Sequence, residues 1–181
     1  MAQLQSRIIE DLSPESYQEW TMKPLVDVRS GTQAQYEVGF KDILAAEGPM
    51  LGYRAYSLFA KASGVGKITS ATKSKLDRTI QALIEAGSIA GADEWLDSLD
   101  DPSRKILRLP EQDLVRVRSR GSRSIDEIPP SELAEVVLHY SSQDEWLGRE
   151  ELYRLVLKHY DLQKLTALGR RVLDYVMQMY F

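Results

Sequence analysis

This chain of 181 residues predicts a mainly α-helical protein with one small β-hairpin, built as two similar three-helix units. Apolar residues recur at three-to-four spacing through most of the sequence, Gly and Pro punctuate those stretches, and the period shortens to two only between residues 88 and 118. A composition of 43% apolar and 28% charged residues belongs to the soluble globular class, with room for one ordinary domain or two small ones sharing a core.

Thr32 caps a helix running to about Glu47, with Tyr36, Phe40, Ile43 and Leu44 on one stripe, and Gly48-Pro49 ends it. A second helix fits from Gly52 to Ala62 on Tyr53, Tyr56, Phe59 and Ala60, stopped by Gly64-Val65-Gly66. Thr69 or Ser70 caps a third helix to about Ala86, whose inward stripe is Thr72, Leu76, Ile80 and Leu83, and Gly87 stands where a left-handed cap belongs. Ser88 to Ala90 and Ile106 to Leu109 predict the hairpin, and Leu114-Val115-Arg116-Val117-Arg118 alternates as a half-buried strand does. Helices resume with Ser131 as cap and Leu133, Val136, Val137 and Tyr140 on one face. Arg149 to about Tyr160 follows, on Leu152, Leu155, Val156 and Tyr160, then a last helix capped by Thr166 on Leu168, Val172, Leu173, Val176 and Tyr180.

Three helices followed by a hairpin is the winged-helix plan. An internal repeat extends it: Leu51-Gly52 recurs as Leu147-Gly148. After a one-residue insertion, Val65/Leu162, Lys67/Lys164, Thr69/Thr166, Lys73/Arg170, Leu76/Leu173, Asp77/Asp174 and Gln81/Gln178 match at a spacing of 97. The expectation is therefore tandem winged-helix-like (helix-turn-helix) units: an N-terminal extension over 1–31 packing on the core, a unit with a wing over 32–120, and a wingless unit over 121–181.

Charge comes in blocks. Residues 93–101 hold five acids and no base, 104–123 hold seven bases against Glu111 and Asp113, and 126–151 hold eight acids and one base. The net charge of −4 excludes general adhesion to nucleic acid, so such binding would have to come from local patches. The third helix of a helix-turn-helix unit is the one that enters the major groove. Its outward Ser74, Lys75, Arg78 and Gln81, with Lys73 on the flank and Lys67 in the preceding turn, are residue types that read base edges and phosphates. Arg116 and Arg118 would project from one strand face and add phosphate contacts, and Lys164, Arg170 and Arg171 form the corresponding set in the second unit. An acidic wing tip at 93–101 would repel the same backbone.

Other chemistry finds little support. With no cysteine, disulfides, thiolate catalysis and thiolate-bound zinc are excluded. Gly64-Val65-Gly66-Lys67-Ile68-Thr69 lacks the first glycine and the hydroxyl after lysine of a phosphate loop, and His139 and His159 lack a ligand set. Neither cofactor nor metal is expected, nor an enzyme activity. Trp20, Trp95 and Trp146 are read as packing residues before docking anchors. No run suits a membrane span or a secretory signal, so the expectation is a cytoplasmic protein.

Tyr17-Gln18-Glu19-Trp20, Pro24-Leu25-Val26-Asp27, Ile43-Leu44-Ala45-Ala46-Glu47-Gly48-Pro49, residues 73–87, Arg104 to Pro110 and Ile125-Asp126-Glu127-Ile128-Pro129-Pro130-Ser131-Glu132 together resemble an uncharacterised bacterial winged-helix-like region. That domain of unknown function is often found at the C-terminal end of superfamily 1 helicase and nuclease-like proteins. The resemblance implies association with DNA processing and a helicase or nuclease protein as partner, and assigns no activity or binding residue. Two functions are expected from these readings: a non-enzymatic accessory protein that binds duplex DNA, or a protein-protein interaction module. In the second, an apolar patch of Tyr175, Met177, Met179, Tyr180 and Phe181 docks a partner or a second copy as a homodimer.

Overall fold

A computed structural model describes residues 12–96, 100–144 and 146–181. Helix α1 (Gln33–Glu47), strand β1 (Met50–Leu51), helices α2 (Gly52–Ala62) and α3 (Ser70–Glu85), strands β2 (Ala90–Ala92) and β3 (Ile106–Arg108), and helices α4 (Pro130–Gln143), α5 (Arg149–His159) and α6 (Ala167–Tyr180) follow in that order. The architecture is mainly helical with a small three-stranded antiparallel sheet in the order β1-β3-β2.

Local chemistry sets the helix limits. Thr32 and Gln35 close a reciprocal capping box at α1, Thr69 accepts from the Thr72 N–H at α3, and Thr166 accepts from the Gly169 N–H at α6. After α3, Gly87 turns the chain at φ 69°, a conformation that a side chain disfavours. Helix α4 departs from expectation: Pro130 occupies its first turn, where a missing N–H costs nothing, and Ser131 serves another contact, described below.

The helices of the two halves start 97 residues apart in all three cases: 33 and 130, 52 and 149, 70 and 167. Details follow the same spacing. Tyr56 donates its hydroxyl hydrogen to Asp77 at 3.0 Å and Tyr153 to Asp174 at 2.6 Å. The Val65 N–H reaches the Ala60 carbonyl at 2.8 Å as Leu162 reaches Leu157 at 2.9 Å. The Leu-Gly match at 51 and 147 is one residue out of step with this frame, which needs no insertion.

Two apolar cores flank the small sheet. The first gathers Tyr36, Phe40, Ile43, Leu44, Tyr56, Phe59, Leu76, Ile80 and Leu83, and the second gathers Leu133, Val136, Val137, Tyr140, Tyr153, Val156, Leu173 and Val176. Alternate residues of a strand point to opposite faces. Paired Met50 and Leu107 therefore enter the first core, and paired Leu51 and Ile106 enter the second. The hairpin is thus a seam between the halves.

The loop of the hairpin continues that seam. Trp95 stacks on Tyr175 of α6 with ring centres 4.7 Å apart, and the Tyr175 hydroxyl donates to the Glu94 carbonyl while accepting from the Leu96 N–H. Glu94 accepts from both the N–H and hydroxyl of Ser131, in the first turn of α4, where a carboxylate also meets the helix dipole favourably. The acidic tip itself, residues 97–99, lies outside the described residues.

Three expectations change. Residues 114–118 form no ladder strand, and only a single parallel bridge joins Arg118 to Glu15. The first hairpin strand begins at Ala90, two residues later than expected. Leu168 and Tyr180, assigned to the last helix's buried stripe, are 40% and 42% exposed, because α6 points them away from the second core.

Candidate macromolecular interface

The outer face of α3 is open: Ser74, Arg78 and Gln81 are exposed and Lys75 half-buried, while Leu76, Thr79, Ile80 and Leu83 face inward. Its charges are largely answered from within the protein. Lys73 contacts Asp77, one turn on, and Asp101, each at 2.9 Å. Gln81 donates to Glu85, Arg78 bonds the Ser74 carbonyl, and the Lys75 ammonium sits 5.2 Å from the centre of the Tyr36 ring. Burial tends to lower the Lys73 pKa, yet its two carboxylates outweigh that and raise it. Asp77, Arg78, Gln81, Ala82, Glu85, Asp100 and Pro102 line a shallow cleft of about 440 Å³ along this face. Three acids against one base make it negative.

The basic linker after β3 behaves differently from the expected phosphate-contacting strand. Arg118 is 2% exposed. Its guanidinium donates to the carbonyls of Glu47 at 2.8 Å, Gly48 at 3.3 Å and Pro49 at 2.7 Å, and to the Glu132 carboxylate at 3.0 Å. These carbonyls end α1, where unpaired acceptors and the negative dipole end favour a cation. The expected outward projection of Arg118 is therefore corrected, and burial does not alternate along 114–118: Leu114 is exposed, at 64%, residues 115–117 are half-buried and Arg118 is buried. Arg116 lies on Glu15 at 2.7 Å and on the Gly48 carbonyl.

Neighbouring arginines follow suit. Arg123, 1% exposed, forks onto Glu132 at 2.8 and 2.9 Å and onto the Ser119 and Arg120 carbonyls. Arg120 donates to the Tyr160 carbonyl, and Arg108 to those of Leu109, Pro110 and Gln112. A linker without ladder partners leaves carbonyls unpaired, and the five donors of a guanidinium satisfy several at once.

Tyr17 stands at the centre of this network. Its ring lies 4.2 Å from the Arg123 guanidinium, 5.1 Å from Arg118 and 5.8 Å from Arg54, and its hydroxyl donates to Glu47 at 2.6 Å. Burial, with the hydrogen bond to Glu47, pushes the Tyr17 hydroxyl well above its ordinary range. Glu47 also accepts from Arg54 at 2.7 Å and from the Trp20 N–H at 2.9 Å. Burial raises its pKa, but these three donors prevail and hold it below the usual range. At Gly121, with φ 59°, a Cβ would come within 2.5 Å of the Tyr17 ring, so the linker passes the aromatic face only because a hydrogen stands there.

On and next to α6, Arg170 forks onto Glu150 at 2.6 and 2.8 Å, Lys164 and Arg171 are exposed, and Asp174 accepts from Tyr153. Position 172, which matches Lys75 at a spacing of 97, is a buried valine, and position 175, matching Arg78, is the tyrosine under Trp95. The face of α6 that corresponds to the outer face of α3 at this spacing is thus partly covered by the loop between β2 and β3. Lys67 is exposed, and no carboxylate lies within ion-pair distance of Lys67, Lys75 or Arg78 among the described residues.

The tryptophans divide. Trp20 is buried and donates to Asp42, Trp95 is buried, and Trp146 is 88% exposed in the turn between α4 and α5. Of the expected apolar patch, Tyr175 and Met177 pack on the second core, while Met179, Tyr180 and Phe181 are 37%, 42% and 56% exposed.

The sequence had no direct signal for the buried arginines, because their partners Glu47 and Glu132 are far along the chain or on another element. Its indirect signal was the density of arginine in a segment without helical period, beside Gly121. Among the described residues no group of three or more potential ligands is placed to hold a metal, and no helix is long and apolar enough to cross a membrane. Comparisons with protein-family profiles, curated proteins and solved structures find no match to this chain.

Proposed function

We propose that this chain is a non-enzymatic, winged-helix-like interaction module whose outer α3 face docks a protein partner. The observation that carries this reading is the fate of the cations. Arg118 is buried on Glu132 within the fold, and Lys73, Arg116 and Arg170 each rest on a carboxylate, so most of the side chains that would track a phosphate backbone are already answered within the protein. What stays open on α3 is a mixed face of acids, an arginine, an amide and small apolar groups, the kind of rim that suits a protein surface carrying basic and apolar groups. The hairpin loop, which would serve as a wing on nucleic acid, is engaged on α4 and α6.

A photo-reactive amino acid in place of Ala82 tests this in the native host. The expected product is a discrete protein adduct, lost in Arg78→Glu. A nucleic-acid adduct, or none with the chain expressed and folded, contradicts it.

Duplex DNA is the second reading, supported by Lys67, Lys75 and Arg78. These three have no carboxylate partner among the described residues and lie on or next to the third helix. In that case binding weakens steeply with salt, and Lys75→Ala with Arg78→Ala costs more affinity than Arg170→Ala with Arg171→Ala. Partnership with a helicase or nuclease protein, and self-association through Met179, Tyr180 and Phe181, are forms of the protein-docking proposal.

A further inference from the structure

A second cleft, of about 330 Å³, opens where the two halves meet, away from the outer face of α3. Trp95 and Arg104 of the hairpin loop form one wall, Leu168, Arg171, Val172 and Tyr175 of α6 another, and Asp126 of the 3-10 turn Ile125–Glu127 closes it. Two opposite charges in this cleft are unanswered. The Asp126 carboxylate makes no hydrogen bond or ion pair among the described residues, and its Oδ1 is shut from solvent. With Oδ1 sealed, the other carboxylate oxygen, which keeps accessible surface and no protein donor, is the one a ligand in the cleft can reach. The exposed Arg171 guanidinium likewise has no partner among the described residues, and the two do not reach each other within ion-pair distance. The same lining carries an apolar helix face and the Trp95–Tyr175 stack, with Arg104 4.9 Å over Trp95.

We propose that this cleft binds a small zwitterion with an apolar or aromatic body, of the size and chemistry of a free amino acid. Its ammonium meets Asp126, its carboxylate meets Arg171, and its side chain covers Leu168 and Val172. The volume sits at the lower end of what ligand pockets occupy, which suits a molecule of that size. This inference is independent of what docks on α3, and a ligand here would bridge the hairpin loop, the linker and α6.

Calorimetry and amide NMR on the full chain with L-phenylalanine, phenylacetate and phenethylamine test the assignment. L-phenylalanine is expected to bind with Kd on the order of 1 mM or tighter, as its size allows, and the two singly charged probes about tenfold or more weaker. Asp126→Asn should abolish the preference for phenylalanine over phenylacetate, and Arg171→Gln its preference over phenethylamine, with unfolding transitions kept. An amidated tetrapeptide with N-terminal phenylalanine separates a free amino acid from a peptide end and should bind more weakly. Equal binding of all three small probes, no binding of phenylalanine, selectivity unchanged in both variants, or a tetrapeptide that binds as well would each overturn the proposal.

Discussion

Arg118 offers donors to three carbonyls at the end of α1 and to Glu132 at the start of α4, so one side chain ties the first half of the molecule to the second. Glu132 answers Arg118 and Arg123 together, and all three are at most 2% exposed. Removing the charge of one member of a buried set strands the others, at a cost of ~3–5 kcal/mol. Glu132→Gln should therefore lower stability to denaturant by that order, whereas Arg170→Gln, on an exposed pair with Glu150, should leave the denaturation midpoint essentially unchanged. Two carboxylates, Glu47 buried and Glu94 half-buried, also differ in sign with pH. Glu47 is held below its unfolded value of 4.5, so its contribution is complete above that pH and fades as pH falls through the folded value. Glu94 is raised above 4.5, chiefly by burial and against its bonds from Ser131, so its ionised form carries a penalty that grows as pH rises from 4.5 to its folded value. The destabilisation by Glu47→Gln should shrink on acidification from pH 7 to 4, and that by Glu94→Gln should grow. Urea titrations at the two pH values read both.

Helices were legible because their punctuation is local. Thr32, Thr69 and Thr166 cap where capping residues were expected, Gly87 has the positive φ its position implied, and α2 spans Gly52–Ala62 as expected, with Tyr56, Phe59 and Ala60 buried but Tyr53, of the same expected stripe, 49% exposed. Thr69→Ala and Thr166→Ala should each cost ~1 kcal/mol in thermal or chemical unfolding. The segment 114–118 was misread for a physical reason. A period of two says that neighbours face opposite ways, not which way is in, and a buried arginine is a rare choice that only distant carboxylates and free carbonyls make acceptable. The alternation pointed Arg116 and Arg118 outward together, and the tertiary partners drew Arg118 in while Leu114, of the same parity, stayed exposed. The candidate site suffered similarly. The outer face of α3 was correctly placed from its spacing, but Asp101, which answers Lys73, arrives from a loop whose position no local pattern encodes.

The two cores share one three-stranded sheet, with Met50 and Leu107 on one side and Leu51 and Ile106 on the other. Halves joined through a buried ionic network and a common sheet should unfold as a single cooperative unit. Fluorescence of variants retaining only Trp20, against the first core, or only Trp95, against the second, should therefore give coincident denaturant transitions. Two separate midpoints would show independent domains. Of the seven bases in residues 104–123, Arg118 ties the end of α1 to α4, Arg123 shares Glu132 with it, and Arg108, Arg116 and Arg120 lie on nearby carbonyls or a carboxylate. The claim that the cations serve cohesion is tested most directly by fluorescence anisotropy of a labelled random-sequence duplex titrated with the chain at 20 and 200 mM salt. We predict at most weak binding at the lower salt, unaffected by Lys75→Ala with Arg78→Ala. Micromolar or tighter binding that collapses between the two salts, and that the double variant abolishes, would contradict it.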